Sequence, residues 1–214
     1  MGVITLVRHG QANSAATDEA GYDRLSDLGH QQARWLGEWM RDQSEEFDLV
    51  LSGSLRRHKE TAAGMGWSEP EIDPRLNELD YFNLGQALQD AHGIPPASPE
   101  NFVDHFIEVL HAWQRAEICG NETFESFESR VSGILQEAAQ PGRQVLCITS
   151  GGVIAMILRH LLELDLTRMA HVSLPILNTS IHRIHVRPVG TILAGYNAVP
   201  HLDRADRAHA HTHY

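Results

Sequence analysis

The run Val145-Leu146-Cys147-Ile148-Thr149 carries no polar alternation, and Gly151-Gly152 leads from it into an almost wholly apolar stretch ending at Leu164. An alternating strand can leave one face in water, but a strand apolar on both sides must be covered on both. A doubly covered strand feeding a buried helix implies a parallel sheet packed between helical layers. The rest of the chain fits that frame. Val3–Val7 is a second apolar, β-branched run, and Phe47–Ser52 a third, ending at Gly53. Ser26 caps a helix to about Asp42 that places Leu28, Trp35, Leu36, Trp39 and Met40 on one face. A further helix is expected from Leu55 to Ala63, another from about Pro99 to Ala116, and another from Thr123 to Ala139, stopped by Pro141-Gly142. Residues 64–101 read as largely irregular, with one short strand near Ile72. Ser180–Val186 and Thr191–Tyr196 alternate about Pro188–Gly190, as in a hairpin at a sheet edge.

The expected fold is therefore an α/β three-layer sandwich. It has a mostly parallel central sheet with an antiparallel edge, and helices on both faces. The length of 214 residues admits one large domain or two small ones. Because no linker interrupts the pattern, a single domain is expected over residues 1–202, with 80–122 as a helical insertion or lid and 203–214 as a mobile tail.

A net charge of −11 argues against nucleic acid or an anionic membrane as partner. It leaves room for a small anion, since a few arginines can focus a local positive field. Cys119 and Cys147 form no spaced framework and read as buried thiols in a reducing compartment. The N-terminal MGVITLVRHG lacks the features of a secretory signal, and no run approaches the ~18 apolar residues of a spanning helix. A cytoplasmic protein is expected, with its oligomeric state open.

In sheets of this kind, ligands bind beyond the carboxyl ends of the strands. Those ends carry Arg8-His9-Gly10, then Ser52-Gly53-Ser54-Leu55-Arg56-Arg57-His58, then Ser150-Gly151-Gly152. Arginine forks match phosphate oxygens, and a helix N-terminus reached through glycines favours anions. A histidine among cationic groups stays neutral and nucleophilic near pH 7, so it can attack phosphorus and form a phosphohistidine that water hydrolyses. The leaving alkoxide then needs a proton, and Glu78 in Leu76-Asn77-Glu78-Leu79 is placed by chain order to supply it.

These residues resemble a known pattern. Leu6-Val7-Arg8-His9-Gly10 is similar to the signature of the histidine phosphatase superfamily, also called the phosphoglycerate mutase-like family. Leu25-Ser26-Asp27-Leu28-Gly29-His30-Gln31-Gln32-Ala33 is similar to its L-S/T-x-x-G-x-x-Q-A helix start. Ser54-Leu55-Arg56-Arg57 with Thr61-Ala62 resembles its S-x-L-x-R-A-x-x-T-A segment, and Leu76-Asn77-Glu78 its acid-bearing L-x-E. Glu122-Thr123 with Arg130 resembles its E-S…R helix. The resemblance implies a metal-independent, cofactor-free phosphomonoesterase acting on a small phosphorylated substrate. It implies His9 as the phosphorylated nucleophile, Arg8 and Arg57 as phosphate ligands, and Glu78 as proton donor.

One position departs from the family. Ser150 stands where the strand-end His-Gly-Gly motif carries a second active-site histidine. The expectation is that Ser150 still touches phosphate, with Asn13 as an additional contact. Loss of a comparable donor costs on the order of 10²–10³ in rate. The alternative is thus a weak or inactive member that binds a phosphorylated ligand. A serine hydrolase built on Ser150 would need a glycine two residues earlier, where Ile148 stands. A mutase would use the same phosphoenzyme. The alternating His209, His211 and His213 in the tail are read as surface residues rather than metal ligands.

Overall fold

Strand burial dictates strand order. A computed structural model describes every residue except those at 14, 17, 99 and 214, with the side chain at 19 also outside the description. It contains β1 (Gly2–Arg8), β2 (Leu49–Ser52), β3 (Glu71–Ile72), β4 (Gln144–Thr149), β5 (Ile181–Arg187) and β6 (Gly190–Ala198). They form one sheet in the order β3-β2-β4-β1-β5-β6. β4 pairs in parallel with β1 and β2, and β2 in parallel with β3, whereas β5 and β6 add an antiparallel edge. The strand without polar alternation lies inside the sheet, as its sequence requires.

The helices are α1 (Glu19–Tyr22), α2 (Asp27–Asp42), α3 (Arg56–Met65), α4 (Tyr81–His92), α5 (Phe102–Gln114), α6 (Phe124–Ala138), α7 (Gly151–Leu162) and α8 (Leu166–Ser173). Successive residues of β4 point to opposite faces. Leu146 and Ile148 meet Leu36 and Met40 of α2 and Ala62 and Met65 of α3. Val145 and Cys147 join the larger core with Phe127 and Val131 of α6 and Ile154 and Ile157 of α7. The result is the three-layer sandwich. Ser26 caps α2 through its hydroxyl, which accepts from Gly29 N at 3.0 Å.

The two helices on the first face cross closely at Gly37. A Cβ there would sit 2.1 Å from the Met65 carbonyl oxygen, a backbone atom that cannot step aside. Gly37→Ala gains about 1 kcal/mol of helix propensity, but overpacking against fixed backbone costs up to about 3 kcal/mol. A net loss of about 1–2 kcal/mol is expected. It should appear as a lower urea midpoint with an unchanged m-value, and an unmoved midpoint would contradict the close crossing.

Several expectations are corrected. The stretch expected to be irregular contains α4, which Asp80 caps by accepting from Asn83 N and Gly93 ends at φ 69°. Its few core positions, Leu84 and Leu88, stand among polar residues, and prolines flank the helix on both sides. α8 is a helix where the sequence pattern gives no expectation of one. α5 begins at Phe102, and the expected start at residue 99 lies outside the described residues. Both α4 and α5 contribute to the main core through Leu84, Leu88, Phe106, Leu110 and Trp113. Cys119 is exposed, while burial pushes the Cys147 thiol up to about 12.

The tail is not free. Residues Ala205–Ala210 form a 3-10 turn, and Ala210 is buried with Val199 and Leu202. Gln32 donates to Ala210 O at 2.8 Å, and Asn178 N donates to Thr212 O at 2.7 Å. Arg207 lies over the Trp35 ring, and His209 packs edge-on against it. The tail is polar in sequence, but its partners lie on distant elements. Among the described residues, no helix is long and apolar enough to cross a membrane.

Candidate active site

Because β2, β4 and β1 are adjacent and parallel, their carboxyl ends lie side by side. Arg8 is in register with Thr149, and Ser52 with Ile148. The residues that follow these strands are thereby gathered: Arg8 and His9, then Gly53 and the start of α3, then Ser150. His9 N donates to Thr149 O at 2.9 Å. Gly10 N donates to Thr61 Oγ1, which donates to Arg57 O, tying the loop after β1 to α3.

His9 is buried, and its Nδ1 lies 2.8 Å from Gly10 O. A carbonyl can only accept, so Nδ1 carries the proton and the neutral ring keeps its lone pair on Nε2. Burial, then Arg57, Arg8 and His58, hold its pKa well below the ordinary histidine value. The ring is therefore an unprotonated nucleophile at neutral pH.

Arg8 donates through Nη1 to Ile176 O, while its buried Nε has no hydrogen-bond partner among the described residues. Arg57 is fully buried, pairs with Asp23 at 3.2 Å and lies 5.0 Å from the Tyr22 ring centroid. Arg56, its neighbour, is exposed and pairs with Glu60. Asp23 also accepts from Arg56 N and Arg57 N, so one carboxylate caps α3 and orients the buried guanidinium.

Glu78 reaches the same place from the loop after β3. Thr149 Oγ1 donates to Leu76 O at 2.6 Å, and Asn77 exchanges hydrogen bonds with Ser54. The Glu78 carboxylate accepts from Gly152 N, with both oxygens at 3.1 Å. It thus occupies the N-terminal turn of α7, where the helix dipole favours negative charge. Glu78 also lines a cleft of about 360 Å³ with Leu55, Asp80, Glu122 and Arg130.

Ser150 holds the N-cap position of α7 but does not cap it through its side chain. Its buried Oγ lies 2.6 Å from His58 Nε2 instead. His58 is fully buried, and its ring centroid is 5.6 Å from that of His9. Sequence reasoning did not single out His58. The signal was present in the order of the chain: His58 directly follows Arg57 at the start of α3, in the segment that follows the carboxyl end of β2.

Asn13 donates to Gly21 O at 3.0 Å and bridges the loop that leads to Tyr22. Among the described residues no hydrogen bond joins it to Arg8 or His9. Tyr22 lies edge-on to His9 at 6.4 Å and beside Phe82 at 6.2 Å. Beneath the site, Thr179 N donates to Arg8 O, Asn178 Nδ2 donates to His9 O, and buried His201 bonds Thr179 Oγ1.

The family model of the histidine phosphatase superfamily, branch 1, matches residues 4–199. A 2,3-bisphosphoglycerate-dependent phosphoglycerate mutase of Methylorubrum extorquens (strain PA1) is 28% identical over 133 residues, covering 50% of this chain and 63% of the mutase. A mitochondrial serine/threonine-protein phosphatase of Drosophila grimshawi is 31% identical over 101 residues, covering 45% of this chain and 31% of that protein. The chain thus spans less than two thirds of the length of these curated relatives. Among solved structures, a mutant phosphoserine phosphatase of Entamoeba histolytica in complex with phosphoserine superposes with a TM-score of 0.70 at 20% identity, covering 94% of this chain and 100% of the other. At that identity the likeness is one of fold.

Proposed function

The chain belongs to the histidine phosphatase superfamily, branch 1, and from that membership we propose that it hydrolyses small phosphate monoesters through a phosphohistidine on His9. The observation that carries this reading is the His9 ring. It is buried, neutral and tied down at Nδ1, and it stands among Arg8, Arg57 and His58. Nε2 attacks phosphorus, and the P–O bond to the alcohol breaks. Arg8 and Arg57 balance the phosphoryl charge, and Glu78, entering this step as the protonated acid, gives its proton to the departing oxygen and becomes the carboxylate. Water then attacks the phosphohistidine, Glu78 takes a proton from it, the N–P bond breaks and inorganic phosphate leaves. Ser150 donates to a phosphoryl oxygen. Asn13 acts at one remove, through the short helix α1 that carries Tyr22.

The cleft beside Glu78 supports a phosphatase over a mutase of bisphosphorylated substrates. Its charged residues are Glu78, Asp80 and Glu122 against Arg130, and that arginine is bound by Glu122 and by the carbonyls of Arg75 and Asn77. Such a lining suits an uncharged or cationic leaving group and repels a second phosphate. The net acidity of the chain disfavours nucleic acid as substrate.

Rapid quench with a radiolabelled phosphate ester tests the mechanism. Acid-labile, base-stable label on His9 within the first turnover is expected. Turnover without such label would sink the phosphohistidine route. The alternative, a member that binds phosphate without useful turnover, rests on Ser150. It predicts tight vanadate binding with no label and no hydrolysis across a broad ester panel.

A further inference from the structure

The site contains an imidazole that the proposed mechanism has not used. We propose that His58 is a catalytic residue: its ring, together with the Ser150 hydroxyl, grips a non-bridging oxygen of the phosphoryl group carried by His9. This inference rests on the phosphomonoesterase reading above and adds to it a donor from α3, on a different element from the strand end that Ser150 occupies.

Three independent features of the structure converge on it. The first is distance. The His9 and His58 ring centroids are 5.6 Å apart and the rings tilted by 37°, so both imidazoles stand at the edge of one site, within reach of a single phosphoryl group seated beside them. His58 Nε2 is 2.6 Å from Ser150 Oγ, so the two donors already share one point at the mouth of α7. The second is a prepared seat. A Cβ on Gly53 would lie 2.1 Å from His58 Nδ1 and 2.8 Å from Asn77 Oδ1, so any larger residue at Gly53 would drive the ring from its place. The third is cost. His58 is fully buried beside Arg57, and its Nδ1 has no partner among the described residues. A buried polar atom left unpaired is destabilising. An expensive residue held in a made-to-measure gap beside the nucleophile points to chemistry.

The tautomer follows from the partners. With Nδ1 bare, the proton sits on Nε2, which donates toward Ser150 Oγ, and the hydroxyl proton is free to point at a ligand oxygen. Burial and Arg57 keep the ring neutral in the unliganded site. An arriving phosphoryl group reverses that preference, because a nearby anion favours the charged imidazole. The Nε2–H of His58 then turns from Ser150 Oγ to the phosphoryl oxygen, with the serine hydroxyl donating beside it, and the imidazolium supplies the charge that serine lacks.

The test uses the full chain. His58→Gln keeps a side-chain donor near Ser150, and His58→Asn serves as a second variant, with thermal melts reporting folding of both. Turnover is expected to fall on the order of 10²–10³-fold, with the rate of His9 labelling falling in the same proportion. Ser150→Ala, which removes one neutral hydrogen bond, should lose only about tenfold. In the wild-type protein, the nitrogen spectrum of labelled histidine should show the His58 resonance moving toward the protonated form on addition of vanadate, with those of His182 and His201 unmoved. Turnover of His58→Gln within threefold of wild type would overturn the proposal, as would a His58 resonance indifferent to vanadate. So would a Ser150→Ala loss equal to that of His9→Ala, which would instead make Ser150 a nucleophile with His58 as its base. Absence of label on wild-type His9 would defeat the phosphohistidine reading instead, and the vanadate spectrum would still report on His58.

Discussion

His9→Ala is expected to abolish turnover, with a loss on the order of 10⁴-fold or more, while the protein remains folded. The two halves of that statement have different physical grounds. Without Nε2 there is no atom to carry the phosphoryl group, and the neighbouring imidazole, His58, turns its bare Nδ1 to Gly53 and not to the site. Stability should hardly suffer at neutral pH. The ring is anchored by a single hydrogen bond to Gly10 O, and the strand end beneath it is held by backbone contacts to Thr149 and by Asn178 and Thr179. In acid the variant should be more stable than wild type. The folded-state pKa of His9 is depressed, so protons bind to the unfolded chain first and pull it open as pH falls below about 6.5. Removing the ring removes that linkage. Steady-state turnover and thermal melts at pH 7.5 and pH 5 check both halves. A variant that keeps even a tenth of wild-type turnover would remove His9 from the chemistry.

The second large effect is acid sensitivity of the whole fold. His182 and His201 are buried and held down to about 3, the first by burial and Arg8, the second by burial and by Arg207 and His211. His9 and His58 are shifted in the same direction. The folded pKa of each lies below the unfolded value. Each contribution is therefore intact above about pH 6.5 and is lost as pH falls toward the folded-state pKa. Between pH 7 and pH 5 a shift of that size costs about 2 kcal/mol per histidine. His182 and His201 alone thus remove about 4 kcal/mol from a total that for most domains is about 5–15 kcal/mol. Protonation of exposed histidines reduces the net negative charge and opposes this weakly. At about 2–4 °C per kcal/mol for a chain of this size, Tm should drop by roughly 10 °C or more from pH 7 to pH 5. His182→Gln should make the decline shallower by about 2 kcal/mol. A Tm that stays flat over this range would mean that these rings are hydrated or already protonated in the native state.

Much of this was legible in the chain. The unbroken apolar run at Val145–Thr149 demanded a central strand, and the alternation after Ser180 demanded an edge; both lie where their patterns require. The boundaries of α2, α6 and α7 could be read from caps and stripes, because these helices bury one periodic face or are buried all round. α4 escaped because only Leu84 and Leu88 mark its core side, in a short segment set between Pro74 and Pro95. The tail escaped because polar residues were read as solvated, whereas Gln32 and Asn178 supply the hydrogen bonds that hold it.

For the site, linear order was enough to nominate Arg8, His9, Glu78 and Ser150, because residues that follow the carboxyl ends of neighbouring parallel strands meet, and the resemblance to the family segment chose Arg57 over Arg56. Order could not tell what each would touch. Ser150 holds the N-cap position of α7, yet it is the Glu78 carboxylate that accepts from Gly152 N, and the serine hydroxyl turns to His58. Pattern and periodicity report what a residue's own element does. They are silent on side chains that converge from separate elements. The sequence by itself therefore determined the sheet, its helical layers and the gathering of cationic residues at one edge. Only the packing of α3 against β4, with the gap left by Gly53, decided that a second imidazole would stand beside His9, on a helix instead of at a strand end.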